Sequence, residues 1–379
     1  MLTVGIVANE ASGDILGAAL VREIRRRVPE VEFVGVAGPR MQQEGCRSLV
    51  DMERLSVMGL AEVLAQLPSL ILIRRRLVRH FLHNRPDVFI GVDAPDFNLG
   101  LERRLRDAGI LTVHLVSPTV WAWRPGRVKT IRRAVDLMLS VFPFEETFLR
   151  QHGVPARYVG HPLADEIPLE IDRLGARRAL GLSQGTIVAI LPGSRIGEVD
   201  RLAEPFLITA ARLVAARPEV QFVVPLVNAR VRERFCRTLA SVAPNLPITL
   251  VDGRSRDVMA AADLVLAASG TATLETLLSK RPMVVAYRVH PLSYFVVKQL
   301  GLVKVPYVAM ANILAEQELA REFIQDRCRP ELLLPALIAL LDAPDWVTEI
   351  QQQYRRIHLQ LRQDAAAKAA AAVLDLIKS

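Results

Sequence analysis

Short runs rich in Val, Ile and Leu alternate with longer stretches of helical period along most of the 379 residues. Apolar runs separated by helices build parallel strands joined by crossovers, which leaves layered α/β folds and little else. In the first half the expected strands are 2–8, 31–37, 87–93, 111–116, 136–141 and 157–160. The pattern restarts near Ile187, with expected strands at 187–191, 221–225, 248–251, 264–268 and 283–287. Two doubly wound, Rossmann-like domains follow, 1–165 and 166–344, each near the common size of about 150 residues. After about Pro330 the strands stop, and 331–341, 345–361 and the alanine-rich 364–377 read as helices.

With 51% hydrophobic and 23% charged residues the chain is not disordered. No window approaches the roughly 18 uninterrupted apolar residues of a membrane span. The start, MLTVGIVANEASGD, lacks the basic region and cleavage site of a signal peptide, so a cytoplasmic location is expected. Cys46, Cys236 and Cys328 form no CxxC or His/Cys ligand spacing, which predicts free thiols and no metal site. The net charge of +8 calls for an anionic partner: nucleic acid, a phosphorylated small molecule or an anionic membrane. No nucleic-acid motif is found, so nucleic acid is not expected.

The turn after the first strand reads Asn9-Glu10-Ala11-Ser12-Gly13-Asp14 instead of G-x-G-x-x-G, which argues against a dehydrogenase. Such a turn still presents backbone N–H groups, and Gly13 lets a ligand come close; alternatively, Ser12 or Asp14 caps a helix over 15–27. Strand 187–191 runs into Pro192-Gly193-Ser194-Arg195, then Gly197-Glu198 and a long helix. Donors and dipole converging there suit a diphosphate, and a structural turn with a surface arginine is the alternative. Strand 264–268 ends in Ser269-Gly270-Thr271, with Glu275 one turn into the next helix at a reach suited to ribose hydroxyls, or only favouring the helix dipole. Two such turns in one domain point to a nucleotide.

The strand ending at Val92 delivers Asp93-Ala94-Pro95-Asp96-Phe97-Asn98. Carboxylates at the carboxyl end of a parallel strand stand where open α/β sheets bind ligands, so either can act as a general base. Asp96 as an N-cap leaves Asp93 for the chemistry. Trp121, Trp123, Arg124 and Arg127 can line a pocket for an anionic or sugar ligand, or the tryptophans pack under a loop. His161, in Gly160-His161-Pro162, stands at the expected hinge and reads as structural.

The segment 57–85 is different in kind. Val57, Met58, Leu60, Val63, Leu64 and Leu67 share a helical face, and Arg74, Arg75, Arg76, Arg79 and Arg85 follow with no acidic residue from Val63 to Pro86. An exposed helix of this type lies in a bilayer interface with arginines on anionic headgroups; a core helix with a solvated far face is the alternative.

NEASGDILGA, VGVAGPRM, VMGLAEVL, DAPDFN, SPTVWAWRPGRV, LPGSRIGEV and SGTATLE occur in this order over the whole chain. In these motifs the chain resembles the lipid-A-disaccharide synthase family. The resemblance implies a GT-B architecture: two Rossmann-like domains, a catalytic cleft between them, and a C-terminal segment, about 345–379, returning to the first domain. It implies an inverting glycosyltransferase joining UDP-2,3-diacylglucosamine to the 6-hydroxyl of 2,3-diacylglucosamine 1-phosphate, without cofactor or metal. The enzyme would sit peripherally on the cytoplasmic face of the inner membrane; self-association as a homodimer is left open. By the same resemblance Asp93 is the base, Arg195 the catalytic contact to the diphosphate, and Glu275 the ribose contact. Gly193, Ser194, Glu198, Ser269, Gly270 and Thr271 complete the UDP set. Glu10 and Asn312 line the site, with Ser12, Gly13, Asp14, Asp96, Asn98, Trp123, Arg124, His161 and Asn228 as further candidates. The family opening G-E-[TS]-S-G-D has Asn9 in place of Gly here, a residue that tolerates left-handed backbone, and Ala11 in place of a hydroxyl residue. Rival readings are a peptidoglycan-precursor transferase or UDP-N-acetylglucosamine 2-epimerase on the same fold, and a non-catalytic basic binding module.

Overall fold

The computed structural model describes residues 1–55, 60–121, 125–289 and 306–378. The chain divides into two compact units, 1–165 with 361–379, and 166–360.

The first unit is built on a seven-stranded sheet of β1 (Leu2–Ala8), β2 (Val31–Val36), β3 (Cys46–Ser48), β4 (Val88–Val92), β5 (Leu111–Leu115), β6 (Leu137–Ser140) and β7 (Ala156–Tyr158), in the order β3-β2-β1-β4-β5-β6-β7. The second has six strands, β8 (Thr186–Leu191), β9 (Val220–Leu226), β10 (Ile248–Asp252), β11 (Leu264–Ala268), β12 (Met283–Tyr287) and β13 (Arg321–Ile324), in the order β10-β9-β8-β11-β12-β13. Every pairing is parallel. Strands buried on both faces explain the unbroken apolar runs. Two strands escape the sequence reading: β3 has only three residues, and β13 (Arg-Glu-Phe-Ile), at a sheet edge, has only two apolar residues after two charged ones. In both sheets the order reverses between neighbouring strands, at β1/β4 and at β8/β11, and such switch points open a crevice at the strand carboxyl ends.

The helix Ala11–Arg27 begins four residues earlier than the expected 15–27 and takes Ser12, Gly13 and Asp14 into its first turn. Asp14 caps a different helix. Its buried carboxylate accepts the backbone N–H of Arg40 at 2.9 Å and of Met41 at 3.0 Å, fixing the start of the helix Pro39–Gln43. Removing it would leave two donors unpaired, at a cost of about 1–3 kcal/mol each. Asn9 is absent from the residues with positive φ, so the change from glycine in the family opening needs no left-handed backbone.

The C-terminal helix Ala365–Lys378 packs against Ala11–Arg27, and Ala369, Ala370, Ala372 and Val373 join the first core. The helix before it, Pro344–Leu361, groups with the second unit instead of following 361–379. Val347 packs on the second core, Ile350 and Tyr354 are fully buried, and Arg355 pairs with Glu170 at 3.0 Å. The return to the first unit therefore starts near Leu361, not near 345. Gly160 and His161 receive it: the His161 N–H donates to the Leu361 carbonyl at 2.9 Å, and Asp165 accepts the N–H groups of Asp364 and Ala365.

The helix Leu60–His83 presents Ile73, Leu77 and Phe81 to the first core at four-residue spacing. Among the described residues no helix is long and apolar enough to cross a membrane.

Candidate active site

Each switch point carries a cavity. In the first unit about 360 Å³ is lined by Asn9 and Glu10 after β1, by Asp93, Ala94, Pro95, Asp96 and Phe97 after β4, and by Leu55, Leu67, Leu70, Ile71 and Arg74. One end is polar and the other is an apolar wall contributed largely by the helix Leu60–His83.

Asp93 (φ 51°) and Ala94 (φ 44°) both take the left-handed conformation, which costs a non-glycine residue energy and persists only when neighbours enforce it. The Asp93 N–H donates to the Leu115 carbonyl at 2.9 Å, and the Ala94 carbonyl accepts from Phe97 and Asn98 at 3.0 Å each. The Asn98 amide donates to the Asp93 carbonyl at 2.8 Å. Asn98 is thus fully buried and holds the turn; it is not open to a ligand. Burial pushes the Asp93 carboxyl above the ordinary aspartate value, the Ala94 amide pulls it back, Glu10 adds to the rise and His114 opposes it.

His114, register partner of Gly91, bonds Glu102 at 2.7 Å between Nδ1 and Oε1, both side chains fully buried. Burial raises Glu102 and the histidine offsets part of that rise. The pair went unnoticed in the sequence because its members lie on separate elements, β5 and the helix Pro95–Asp107, twelve residues apart.

Around the same cavity, Glu10 is exposed and accepts the Ser12 hydroxyl at 2.9 Å. Asp96 lies in the first turn of its helix, whose N-cap is Ala94, and pairs with Arg127. Gly13 and Asp14 are buried inside the structure and do not line the cavity. Trp123 and Arg124 lie outside the described residues, as do Val57 and Met58 and the side chains of Leu60 and Leu64. Trp121 donates its indole N–H to Glu145 at 3.1 Å, and burial pushes that carboxyl up to about 8. The His161 ring lies tilted beside Phe142, accepts the Leu163 N–H at 3.2 Å on Nδ1, and is pushed down to about 4 by burial; it lines neither cavity.

In the second unit about 500 Å³ at β8/β11 is lined by Gly193, Ser194, Arg195, Glu198, Ser269, Gly270, Thr271 and Glu275, with Pro225, Val227, Gly253 and Tyr287 from the ends of β9, β10 and β12 and Ser255 and Met259 from the helix Ser255–Ala261. Gly193 sits at φ 111°, and a Cβ there would meet the Glu198 carboxylate at 2.5 Å. That carboxylate accepts the N–H groups of Ser194 at 3.0 Å and Arg195 at 3.2 Å. Two amides of the turn are thus taken by its own glutamate, and beside them it offers an anion the exposed Arg195 guanidinium, for which no ion pair is seen among the described residues. The opposite turn differs: Gly270 caps the helix Thr271–Leu278 without a side-chain cap, and no neighbouring atom stands within 4 Å of where its Cβ would be. Its helix N-terminus is open to negative charge. Glu275 lines the cavity while accepting Arg256 Nε at 3.3 Å.

Two candidates are spent on structure. Asn228 caps the helix Ala229–Val242 by accepting the Val231 N–H at 3.0 Å. Asn312, fully buried, donates to the Ala320 carbonyl and Glu322 and accepts from Leu319 and Ala320, filling its amide valences. A larger cavity of about 650 Å³ opens at the amino ends of β8 and β11, at the opposite end of the sheet from the β8/β11 crevice. Its Arg177 is fully occupied by the carbonyls of Ala261 and Gly185 and by Asp263, so it reads as a structural gap.

Residues 4–377 match the family model described as lipid-A-disaccharide synthetase. Among curated relatives, the lipid-A-disaccharide synthase of Pseudomonas paraeruginosa is 56% identical over 378 residues, covering 100% of this chain and 98% of that protein. The one from Azotobacter vinelandii is 54% identical, covering 99% and 98%. Solved structures with the same fold include UDP-GlcNAc 2-epimerase from Neisseria meningitidis bound to UDP-GlcNAc, at a TM-score of 0.65, 10% identity and 100% coverage of both chains. A glycosyltransferase from Rickettsia africae follows at 0.59 and 10% identity, covering 100% of this chain and 97% of that one. At such identities the likeness is one of fold, the GT-B type with two parallel sheets.

Proposed function

Because the chain belongs to the lipid-A-disaccharide synthase family and is a glycosyltransferase, we propose that it transfers 2,3-diacylglucosamine from UDP-2,3-diacylglucosamine to the 6-hydroxyl of 2,3-diacylglucosamine 1-phosphate, with inversion and without a metal. The observation that carries this reading is the first cavity, where a strained, half-buried carboxylate, Asp93, shares one space with an apolar wall. A sugar hydroxyl needs the first and an acyl chain the second.

In this mechanism Asp93 accepts the proton of the acceptor 6-hydroxyl as that oxygen bonds to the donor anomeric carbon. The bond from that carbon to the UDP oxygen breaks on the opposite face, so a single displacement inverts the configuration. Charge gathers on the departing diphosphate, and Arg195 together with the helix N-terminus at Gly270-Thr271 meets it. Glu10 keeps the Asp93 carboxyl basic by adding negative charge beside it. Purified protein given both substrates in excess chelator is expected to yield the disaccharide 1-phosphate by mass spectrometry. Folded protein that makes none across several acyl lengths, with detergent present, rejects the reading.

Substrates of this kind lie in a membrane, and the helix Leu60–His83 supplies a surface for it, with Leu67, Leu72 and Leu82 exposed beside Arg75, Arg76 and Arg79. Basic residues near an anionic surface contribute about 1 kcal/mol each. Reversing Arg75 and Arg76 to Glu is expected to weaken binding to anionic vesicles by roughly tenfold or more on that scale. Unchanged co-sedimentation would remove the peripheral inner-membrane assignment from this helix.

A further inference from the structure

The arginines of the helix Leu60–His83 do not share one environment. Arg75, Arg76 and Arg79 are exposed, whereas Arg74 is partly buried and lines the Asp93 cavity. Its guanidinium lies 6.0 Å from the Phe97 ring centroid, and a Cβ added at Gly100 would meet its Nη1 at 2.6 Å. A helix position that would otherwise favour alanine is thus occupied by the one residue that leaves this cation room. No carboxylate among the described residues pairs with it: Glu102 is taken by His114, Asp96 by Arg127, and Glu10 stands at the exposed end receiving Ser12.

From this geometry we propose that Arg74 binds the phosphate monoester of the acceptor. The inference rests on the reading above and assigns one end of its acceptor cavity. A partly desolvated guanidinium with no counter-ion is unfavourable in the empty protein, and burial, with Arg104 adding to it, holds Arg74 below the usual arginine range. A dianion with paired oxygens matches the planar fork of donors and restores the lost solvation. The apolar residues Leu67, Leu70 and Ile71 beside it suit the acyl groups carried by the same molecule.

The test compares 2,3-diacylglucosamine 1-phosphate with its dephosphorylated form as acceptors in neutral detergent micelles, for the wild type, Arg74→Ala, Arg74→Lys and Gly100→Ala. The wild type is expected to favour the phosphorylated acceptor. Arg74→Ala is expected to lower kcat/KM for that acceptor by about 10- to 100-fold, mostly through KM, with a distinctly smaller loss on the dephosphorylated one, so that the preference collapses, on the scale of 1.4 kcal/mol per tenfold. Arg74→Lys should recover part of the preference. Gly100→Ala, a change that favours the helix itself, should erode it by crowding the guanidinium. UDP titration and a thermal melt check folding, and if Arg74→Ala fails them the other two variants decide. Equal losses on both acceptors, or an intact preference, overturn the proposal. So does an effect that appears only when anionic vesicles replace the micelles, since the phosphate recognised would then belong to a lipid headgroup. A wild-type protein that forms no disaccharide rejects the functional reading itself, an outcome distinct from an active enzyme indifferent to Arg74.

Discussion

Replacing Asp93 with Asn is expected to lower kcat by about 100-fold or more, the usual scale for a removed general base, while the UDP affinity of the second unit is kept. Asparagine preserves the shape of the side chain and can occupy the same left-handed backbone, so the loss isolates proton acceptance from turn geometry. The pH profile makes the prediction sharper. Burial and Glu10 raise the Asp93 carboxyl, so its protonated form persists to higher pH than the ordinary value of about 3.9. As pH falls through the raised value the base is lost, and the acid limb of kcat/KM should lie above the usual aspartate range. The same shift has a consequence for stability, with opposite sign to activity. A carboxyl raised in the folded state binds more protons there than in the unfolded chain, so its contribution to stability falls as pH rises. Asp93→Asn should therefore be at least as resistant to heat at neutral pH as the wild type, and inactive. An enzyme that keeps near-native turnover, or loses its fold along with its activity, would reject Asp93 as the base.

The sequence shows the two sheets because strands buried on both faces leave continuous apolar runs, and it shows the turns because they follow those runs directly. It shows less of what each turn residue does. Asp14 and Asn98 carry polar groups at a ligand-binding edge, yet both are buried and hold backbone, Asp14 at Arg40 and Met41 and Asn98 at Asp93. Spacing cannot separate these from Asp93, since all sit in short strand-to-helix turn motifs; only the direction of each side chain does. Asn312 and Asn228 fall in the same class, with amides consumed by local N–H and C=O groups. The Glu102–His114 pair and the seat of Arg74 over Gly100 are long-range pairings that no local window contains. The helix Leu60–His83 was legible as amphipathic and basic, but the difference between Arg74 and its neighbours depends on which way the helix is turned against Pro95–Asp107.

The second large effect is expected at Arg195. In many phosphate-binding turns the backbone amides at the helix N-terminus do the binding, and the side chain only adds to them. Here Glu198 accepts the amides of Ser194 and Arg195, so two of the amides of this turn are already engaged. The charge that develops on UDP as the sugar leaves then falls more on the Arg195 guanidinium and on the helix Thr271–Leu278, which has no side-chain cap. Arg195→Ala is expected to lower kcat by about 100- to 1,000-fold, the range for removing one donor to a developing anion. UDP affinity should fall by about tenfold only, because the ground-state diphosphate keeps the other helix end, and tenfold corresponds to roughly 1.4 kcal/mol. Arg195→Lys should restore charge but not the two-pronged contact, and so recover only part of kcat. Steady-state rates with the acyl donor, set beside calorimetric titration of UDP, separate the two effects. Equal losses in kcat and in UDP binding would mean that Arg195 holds the nucleotide and does not act on the departing charge, and an unchanged kcat would leave the stabilisation to the Gly270-Thr271 helix end alone.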